Sequence, residues 1–95
     1  MPEMIFRVRW PDGTESECYS PSLVIRDYFI PGQDYLVGDF LEKAETALTQ
    51  ASDRVQARYG FACSGALGQI QIIRQNCALF LNRPDAQVRV LSFRS

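Results

Sequence analysis

The residues of this sequence that could most readily bind a ligand or react are Cys63, Ser64 and Gly65, which stand at the predicted start of a helix. The first turn of a helix presents unpaired backbone N–H groups and a partial positive charge, so it can hold an anion and lower the pKa of a nearby thiol. Phosphatase and rhodanese loops need an arginine within about six positions of the cysteine to bind the oxyanion, and Gln69 stands there instead. In the competing interpretation, Ser64 caps the helix while Gly65 and Gly68 allow close packing against a hairpin.

Most other catalytic chemistry is excluded by residue type. The chain contains no histidine, so a Ser-His-Asp triad cannot form. Lys43 is the only lysine and stands among glutamates, as on a solvated helix face. Cys18 and Cys77 fall on predicted apolar faces, and a structural metal site would require four converging ligands. We therefore expect no catalytic residue, no metal site and no cofactor.

A group of aromatic residues is the second candidate site. Tyr19, Tyr28, Phe29 and Tyr35 surround a predicted short helix and the loop that follows it. Aromatic rings with polar tips are favoured in protein interfaces as well as in cores. Because a small domain gains buried area by pairing, we predict a homo-oligomer with a contact at these residues.

Composition limits the class of protein. Residues 1–95 are long enough for one compact domain, and 46% apolar residues supply a core without disulfide or metal support. With a formal net charge of −1, the chain has no excess of positive charge to attract the phosphates of a nucleic acid. No signal peptide or membrane-spanning run is recognisable, and three widely spaced cysteines fit free thiols in a reducing compartment. We expect a cytoplasmic protein that contacts neither nucleic acid nor a membrane.

The first twenty residues predict a β-hairpin. Residues 4–10 alternate between apolar and polar side chains, and Pro11-Asp12-Gly13 forms a turn. A three-residue loop sets Trp10 opposite Thr14, which leaves the charged residues of both strands on the solvent face. The predicted cross-strand pairs are Arg9 with Glu15, Arg7 with Glu17 and Ile5 with Tyr19.

The remaining pattern predicts three helices and one strand. The segment Ser20-Pro21-Ser22 supplies an N-cap followed by proline at the first position of a short helix that reaches Phe29. Apolar spacings of three and four predict a main helix over Asp39–Tyr59, capped by Gly60. A second helix begins near Ser64 and ends by Asn82, with Leu67, Ile70, Ile73, Cys77 and Phe80 or Leu81 on its apolar face.

The predicted fold class is α+β. An N-terminal hairpin, a short helix, two longer antiparallel helices and a C-terminal strand over residues 87–94 form a small three-stranded sheet. The last strand has apolar residues on both faces, which favours a position inside the sheet. If the two long helices return the chain to the same end of the sheet, this strand lies beside the first strand and parallel to it, in the order 2-1-3. The short helix could invert this arrangement.

Three segments carry a resemblance to a known family. FRVRWPDG at residues 6–13, CYSPS at residues 18–22 and RYGFACS at residues 58–64 resemble the small bacterial proteins named for a nitrogen-starvation response in mycobacteria. The likeness extends over nearly the whole chain. Members of that family are encoded in nitrilase-containing gene clusters, beside an acetyltransferase, a radical S-adenosylmethionine protein and a flavin-dependent oxidoreductase. The resemblance implies a bacterial, cytoplasmic accessory role in nitrogen metabolism and assigns no catalytic residue.

Two classes of function follow. The preferred one is a non-catalytic accessory or interaction protein that self-associates and serves enzymes of such a cluster. The alternative is a thiol-based or small-anion-binding protein that uses Cys63 at the helix N-terminus.

Overall fold

Four strands and two α-helices follow one another along the part of the chain that the structure, a computed structural model, describes: residues 3–60 and 64–94. The α+β class and both long helices are confirmed. In chain order, the elements are β1 (Met4–Arg9), β2 (Glu15–Ser20), a 3-10 helix (Leu23–Asp27), β3 (Asp34–Leu36), α1 (Val37–Tyr59), α2 (Ser64–Ala78) and β4 (Gln87–Arg94).

The predicted hairpin register is confirmed. Arg9 pairs with Glu15, and the same offset continues through β1 and β2 to Met4 and Ser20. At the turn, the Trp10 N–H donates to the Thr14 carbonyl at 2.7 Å. Gly13 has φ 88, a left-handed conformation that glycine adopts without strain. Because one register satisfies both the turn and the alternation of side chains, a slip by one residue would expose the apolar set.

The sheet differs from the prediction in strand number and in the direction of its last strand. It has four strands in the order β2-β1-β4-β3, and every neighbouring pair is antiparallel. The last strand does lie beside the first and inside the sheet, as predicted, but it is antiparallel and not parallel to β1. Strand β3 was not predicted, because three residues are too few to show an alternating pattern.

The reversed direction of β4 follows from β3. The short helix and β3 carry the chain back across the sheet before α1 begins, so the helix pair starts and finishes at the end where β1 finishes. Val37, the first residue of α1, donates its N–H to the carbonyl of Ala86, directly before β4, at 3.2 Å. The helix pair therefore returns the chain to the end of the sheet from which α1 begins, as predicted. That end is the one where β1 finishes, whereas a parallel β4 would require the end where β1 begins.

The short helix is a 3-10 helix and begins later than predicted. Its N-cap is Ser22, not Ser20, because the Ser22 hydroxyl accepts the Val24 N–H at 3.3 Å. The Ser20 hydroxyl instead donates to the Ser22 carbonyl at 2.7 Å, which places Pro21 before the helix. The helix ends after Asp27, short of the predicted limit at Phe29.

Both α-helices begin close to their predicted first residues, but α2 ends at Ala78, before the predicted limit at Asn82, so Phe80 and Leu81 lie after the helix. Helix α1 begins at Val37, two residues before the expected Asp39, and ends at Tyr59, as predicted. Its C-cap is Gly60, which has φ 84 and donates its N–H to the Gln56 carbonyl at 2.8 Å. Helix α2 begins at Ser64, as predicted. Its buried face differs at one position, because Ala66 is buried where Leu67 was expected and Leu67 is 49% exposed.

Both α-helices contact the same side of the sheet, and aromatic rings fill the space between them and the strands. Phe40 of α1 lies at the centre, with its ring centroid 5.1 Å from Phe29 and 5.7 Å from Trp10. Phe6 of β1 stacks on Phe29 at 6.2 Å. Such contacts combine a large buried apolar area with preferred ring geometry, so this cluster fixes α1 on the sheet.

Leu48 and Leu81 allow a matched test of this core. Leu48→Ala truncates a fully buried side chain of α1 and should lower the free energy of unfolding by about 2–5 kcal/mol, because it leaves a cavity. Leu81→Ala changes a half-exposed side chain and should alter the free energy of unfolding by less than about 0.5 kcal/mol. Urea titration followed by circular dichroism measures both. Equal destabilisation by the two variants would contradict this packing.

Candidate functional site

The predicted thiol and anion site is only partly described. Cys63 lies outside the described residues. Ser64 and Gly65 form the first turn of α2 and are both exposed. Gly68 is also exposed, and among the described residues no atom outside its own helical turn lies within 4 Å of the place where a Cβ would stand. The proposed close packing of Gly68 against the hairpin is therefore wrong, whereas anion binding at Ser64 stays a prediction.

The other two cysteines lie in the core, as predicted. Cys18 of β2 faces the helices together with Phe6, and Cys77 belongs to the buried face of α2. Burial raises the pKa of each thiol to about 12, and at Cys18 the nearby Cys77 adds to the rise. Both thiols are free, so they act as small buried apolar groups.

The aromatic candidate residues do not share one surface. Phe29 is buried among Phe6, Phe40 and Tyr35. Tyr35 is half-buried, and its hydroxyl accepts the Ile30 N–H at 2.8 Å, so it ties the loop before β3 to the core.

Tyr28 and Tyr19 lie at opposite sides of the sheet. Tyr28 is half-buried and lines a shallow cleft of about 490 Å³ beside α1. Tyr19 is half-buried on β2, and alternation along the strand directs it away from the side that Cys18 faces. Its backbone N–H donates to the Gln69 side chain of α2 at 2.9 Å. The predicted aromatic contact is therefore divided between separate places in the fold.

The side of the sheet opposite the α-helices, which we call the open face, carries a network of ion pairs. The Glu15 carboxylate forms ion pairs with the guanidinium groups of both Arg9, at 2.8 Å, and Arg7, at 3.0 Å. Arg7 lies opposite Glu17, as predicted, but its ion pair is with Glu15 and not with Glu17. Glu17 pairs instead with Arg94 of β4, whose side chain reaches across β1. This contact depends on the order of the strands, which the hairpin alone does not determine.

The network extends to β3 through Asp34. The Arg89 guanidinium donates to both carboxylate oxygens of Asp34, at 2.8 and 3.1 Å. This hydrogen-bonded pair lowers the pKa of Asp34 and raises that of Arg89. A recess of about 320 Å³ lies between Arg9 and Arg89 and is lined in part by Trp10 and Asp34. The open face thus presents guanidinium groups held in fixed positions around a depression.

A second surface, which we call the outer face of α2, has the opposite character. All its residues are exposed, and among the described residues it contains no charged side chain. The nearest charge, Arg74, turns toward α1 and pairs with Glu45 at 2.7 Å. The outer face of α2 consists of Ser64, Gly65, Leu67, Gly68, Gln71, Ile72, Gln75, Ala78 and the adjoining Leu79.

Comparison with known proteins now identifies the class. The chain belongs to the NitG family of nitrogen starvation-induced proteins, whose model matches residues 5–93. Comparisons with curated proteins and with solved structures gave no match. Within the part of the chain that the structure describes, no helix combines the length and apolar character needed to cross a membrane.

Thiol accessibility can be measured directly. We expect Cys18 and Cys77 to resist iodoacetamide in the folded protein at neutral pH, because both are buried and protonated, and to react fully in urea. Mass spectrometry of the alkylated peptides gives the rate at each site. Rapid modification of either cysteine in the folded state would contradict its burial.

The raised thiol pKa values also predict a loss of stability in alkaline solution. Between the ordinary value of 9.0 and the folded value of about 12, the unfolded chain releases these protons while the folded chain retains them. The free energy of unfolding should therefore fall as pH rises through this range. A Cys18→Ala, Cys77→Ala double variant should show a shallower fall in urea titrations. An identical slope in both proteins would contradict the assignment.

Proposed function

We propose that this member of the family is a non-catalytic accessory protein of the bacterial nitrogen-starvation response. It acts in the cytoplasm, self-associates and binds enzymes encoded with it in a nitrilase-containing gene cluster. Family membership over residues 5–93 supports the link to nitrogen starvation. The observation that supports a binding role is the ion-paired open face of the sheet, which the helices leave uncovered.

The open face suits protein recognition because its arginines are already ordered. Arg9 and Arg89 are each fixed by a carboxylate, so a partner would immobilise little additional side-chain motion on binding. A guanidinium has five N–H donors, and a bidentate contact with a carboxylate uses two of them. The remaining N–H groups of Arg89 can still donate to an acceptor on a partner.

The recess between these arginines indicates the chemistry of that group. Its volume of about 320 Å³ is large enough for a side chain, and guanidinium groups stand on two sides of it. Arginine recognises carboxylates through planar, paired hydrogen bonds. We therefore assign to the recess an acidic side chain from an exposed segment of the partner enzyme. Tyr19, half-buried on the same face, adds a ring of a type enriched in interfaces.

The thiol-based alternative keeps one supporting observation. Ser64 and Gly65 are exposed at the start of α2, where backbone N–H groups are available to an anion. In the alkylation experiment, a Cys63 rate that rises through an apparent pKa of about 6–7 would support this alternative. Slow modification of Cys63 at neutral pH would favour the accessory role.

The accessory role is tested by capture from nitrogen-starved cells that carry the gene cluster. The tagged chain should retain an enzyme encoded in that cluster, identified by mass spectrometry. Arg89→Gln should reduce its recovery at least about tenfold, because it removes the guanidinium group that would pair with the acidic side chain of the partner. Recovery should also decrease with added salt, because the contact is charged and near the surface.

Arg58→Gln is the matched control. Arg58 is exposed near the C-terminus of α1, away from the open face, and its loss removes the same charge. Recovery should match that of the unmodified chain. Equal losses with both variants would show only a dependence on net charge, and recovery unaffected by Arg89→Gln would refute the assigned surface. Thermal unfolding of each variant verifies that the fold is retained.

A further inference from the structure

The outer face of α2 is unusual for a solvent-exposed helix surface. Helix α1 exposes charges along its length, including Asp39, Glu42, Asp53, Arg54 and Arg58. The outer face of α2 instead exposes Leu67 at 49%, Ile72 at 53% and the adjoining Leu79 at 69%, with glutamine, glycine, alanine and serine between them. Depletion of charge together with exposed aliphatic side chains is typical of the centre of a protein interface.

Gly68 adds an observation that the single chain does not explain. Glycine inside a helix is unfavourable relative to alanine, so its use usually reflects a positive φ or close packing. Gly68 has neither, since its φ lies outside the positive range and, in the part of the chain that the structure describes, no atom from beyond its own helical turn would meet a Cβ within 4 Å. The absence of a side chain at this exposed position is accounted for if another surface approaches the helix there.

The spacing of the outer face repeats like that of a packed helix. Gly65, Gly68, Ile72, Gln75 and Leu79 are separated by three, four, three and four residues, which places them along one stripe. The buried stripe of Ala66, Ile70, Ile73, Cys77 and Phe80 has the same kind of spacing. Helix α2 thus has two rows of residues with the spacing of a packed helix face. Within one chain, only the row that begins at Ala66 is buried, among the described residues.

The outer stripe is complementary to itself when reversed. Gly65 and Leu79 are each seven residues from Ile72. In an antiparallel pair of α2 helices centred on Ile72, the large Leu79 of each copy, in the turn directly after α2, lies over the small Gly65 of the other. From Gly65 to Gln75, within α2, the stripe extends for about 15 Å, from the helical rise of 1.5 Å per residue, and Leu79 adjoins it in the turn that follows. Because the outer face carries no charge, two copies meet without placing like charges opposite each other.

We propose that the outer face of α2 binds a second copy of this chain in a two-fold, antiparallel helix pair centred on Ile72. An isologous contact requires one patch to match itself, and both the size pattern and the neutrality of this face satisfy that requirement. The inference rests on the self-association contained in the proposed function and gives it a specific surface. It moves the contact away from the aromatic residues, which are divided between different parts of the fold.

Sedimentation equilibrium of the purified chain, residues 1–95, at micromolar concentration tests the proposal. The unmodified chain should form a dimer. Ile72→Glu should increase the dimer dissociation constant at least about tenfold, because two carboxylates would face each other across the symmetry axis. Ile72→Lys should have the same effect. Mixing these two variants in equal amounts should restore a dimer at low salt, because opposite charges then meet at the axis.

Ile30→Glu is the matched control, because Ile30 is 59% exposed but lies in the loop before β3. This variant should remain dimeric. A dimer that survives Ile72→Glu would refute the α2 surface while retaining self-association, and a monomeric unmodified chain would refute both. Failure of the mixed variants to reassociate would refute the two-fold arrangement. None of these results depends on enzyme capture through the open face, so the two proposals fail separately.

Discussion

The two-sided pairing of β4 is the constraint on which the fold depends. Strand β4 is the last element, yet it lies between β1 from the beginning of the chain and β3 from the middle. Its pairing with β1 includes an irregularity between Arg7 and Val8, where Leu91 is the additional residue on β4. On the other side, Gly32 donates its N–H to Val90 at 2.7 Å, extending the ladder beyond β3. Both α-helices must therefore fit within the connection between adjacent strands.

This arrangement divides the molecule into surfaces of different chemistry. The helices cover one side of the sheet, where Phe6, Phe29 and Phe40 are fully or almost fully buried. The open face collects the charged residues of every strand, and a carboxylate stands beside each arginine of the ion-pair network. Since Arg94 reaches Glu17 across β1, that network reflects the strand order itself. The outer face of α2 is uncharged, because the only charged residue of that helix, Arg74, pairs with Glu45 of α1.

The open face and the outer face of α2 are the two surfaces to which we assign binding of other molecules in our proposals. The open face offers ordered guanidinium groups, which favour recognition of an acidic partner, whereas the outer face of α2 offers a neutral stripe that favours a second copy. The two surfaces belong to different elements and use different chemistry. A dimer built through α2 would leave both copies of the open face available, so self-association and enzyme binding are compatible.

The sequence by itself determined the elements with strong local signals. Alternation along β1, the turn at Pro11-Asp12-Gly13 and the glycine cap at Gly60 each depend on neighbouring residues, so the hairpin register and both long helices were predictable. The candidate sites were less so, because the aromatic residues were grouped by proximity in sequence and the fold separates Tyr19 from Phe29.

Only the tertiary structure decided the existence of β3, the direction of β4 and the surfaces. A three-residue strand has no recognisable period, and its identity as a strand comes from hydrogen bonds to residues more than fifty positions away. Asp34 and its ion-pair partner Arg89 are likewise 55 residues apart in sequence. Leu67 and Ala66 are neighbours on an apolar stretch, and which of them is buried depends on the rotation of α2 against the sheet. Contacts between distant segments set that rotation, so the outer face of α2 became visible only in the folded chain.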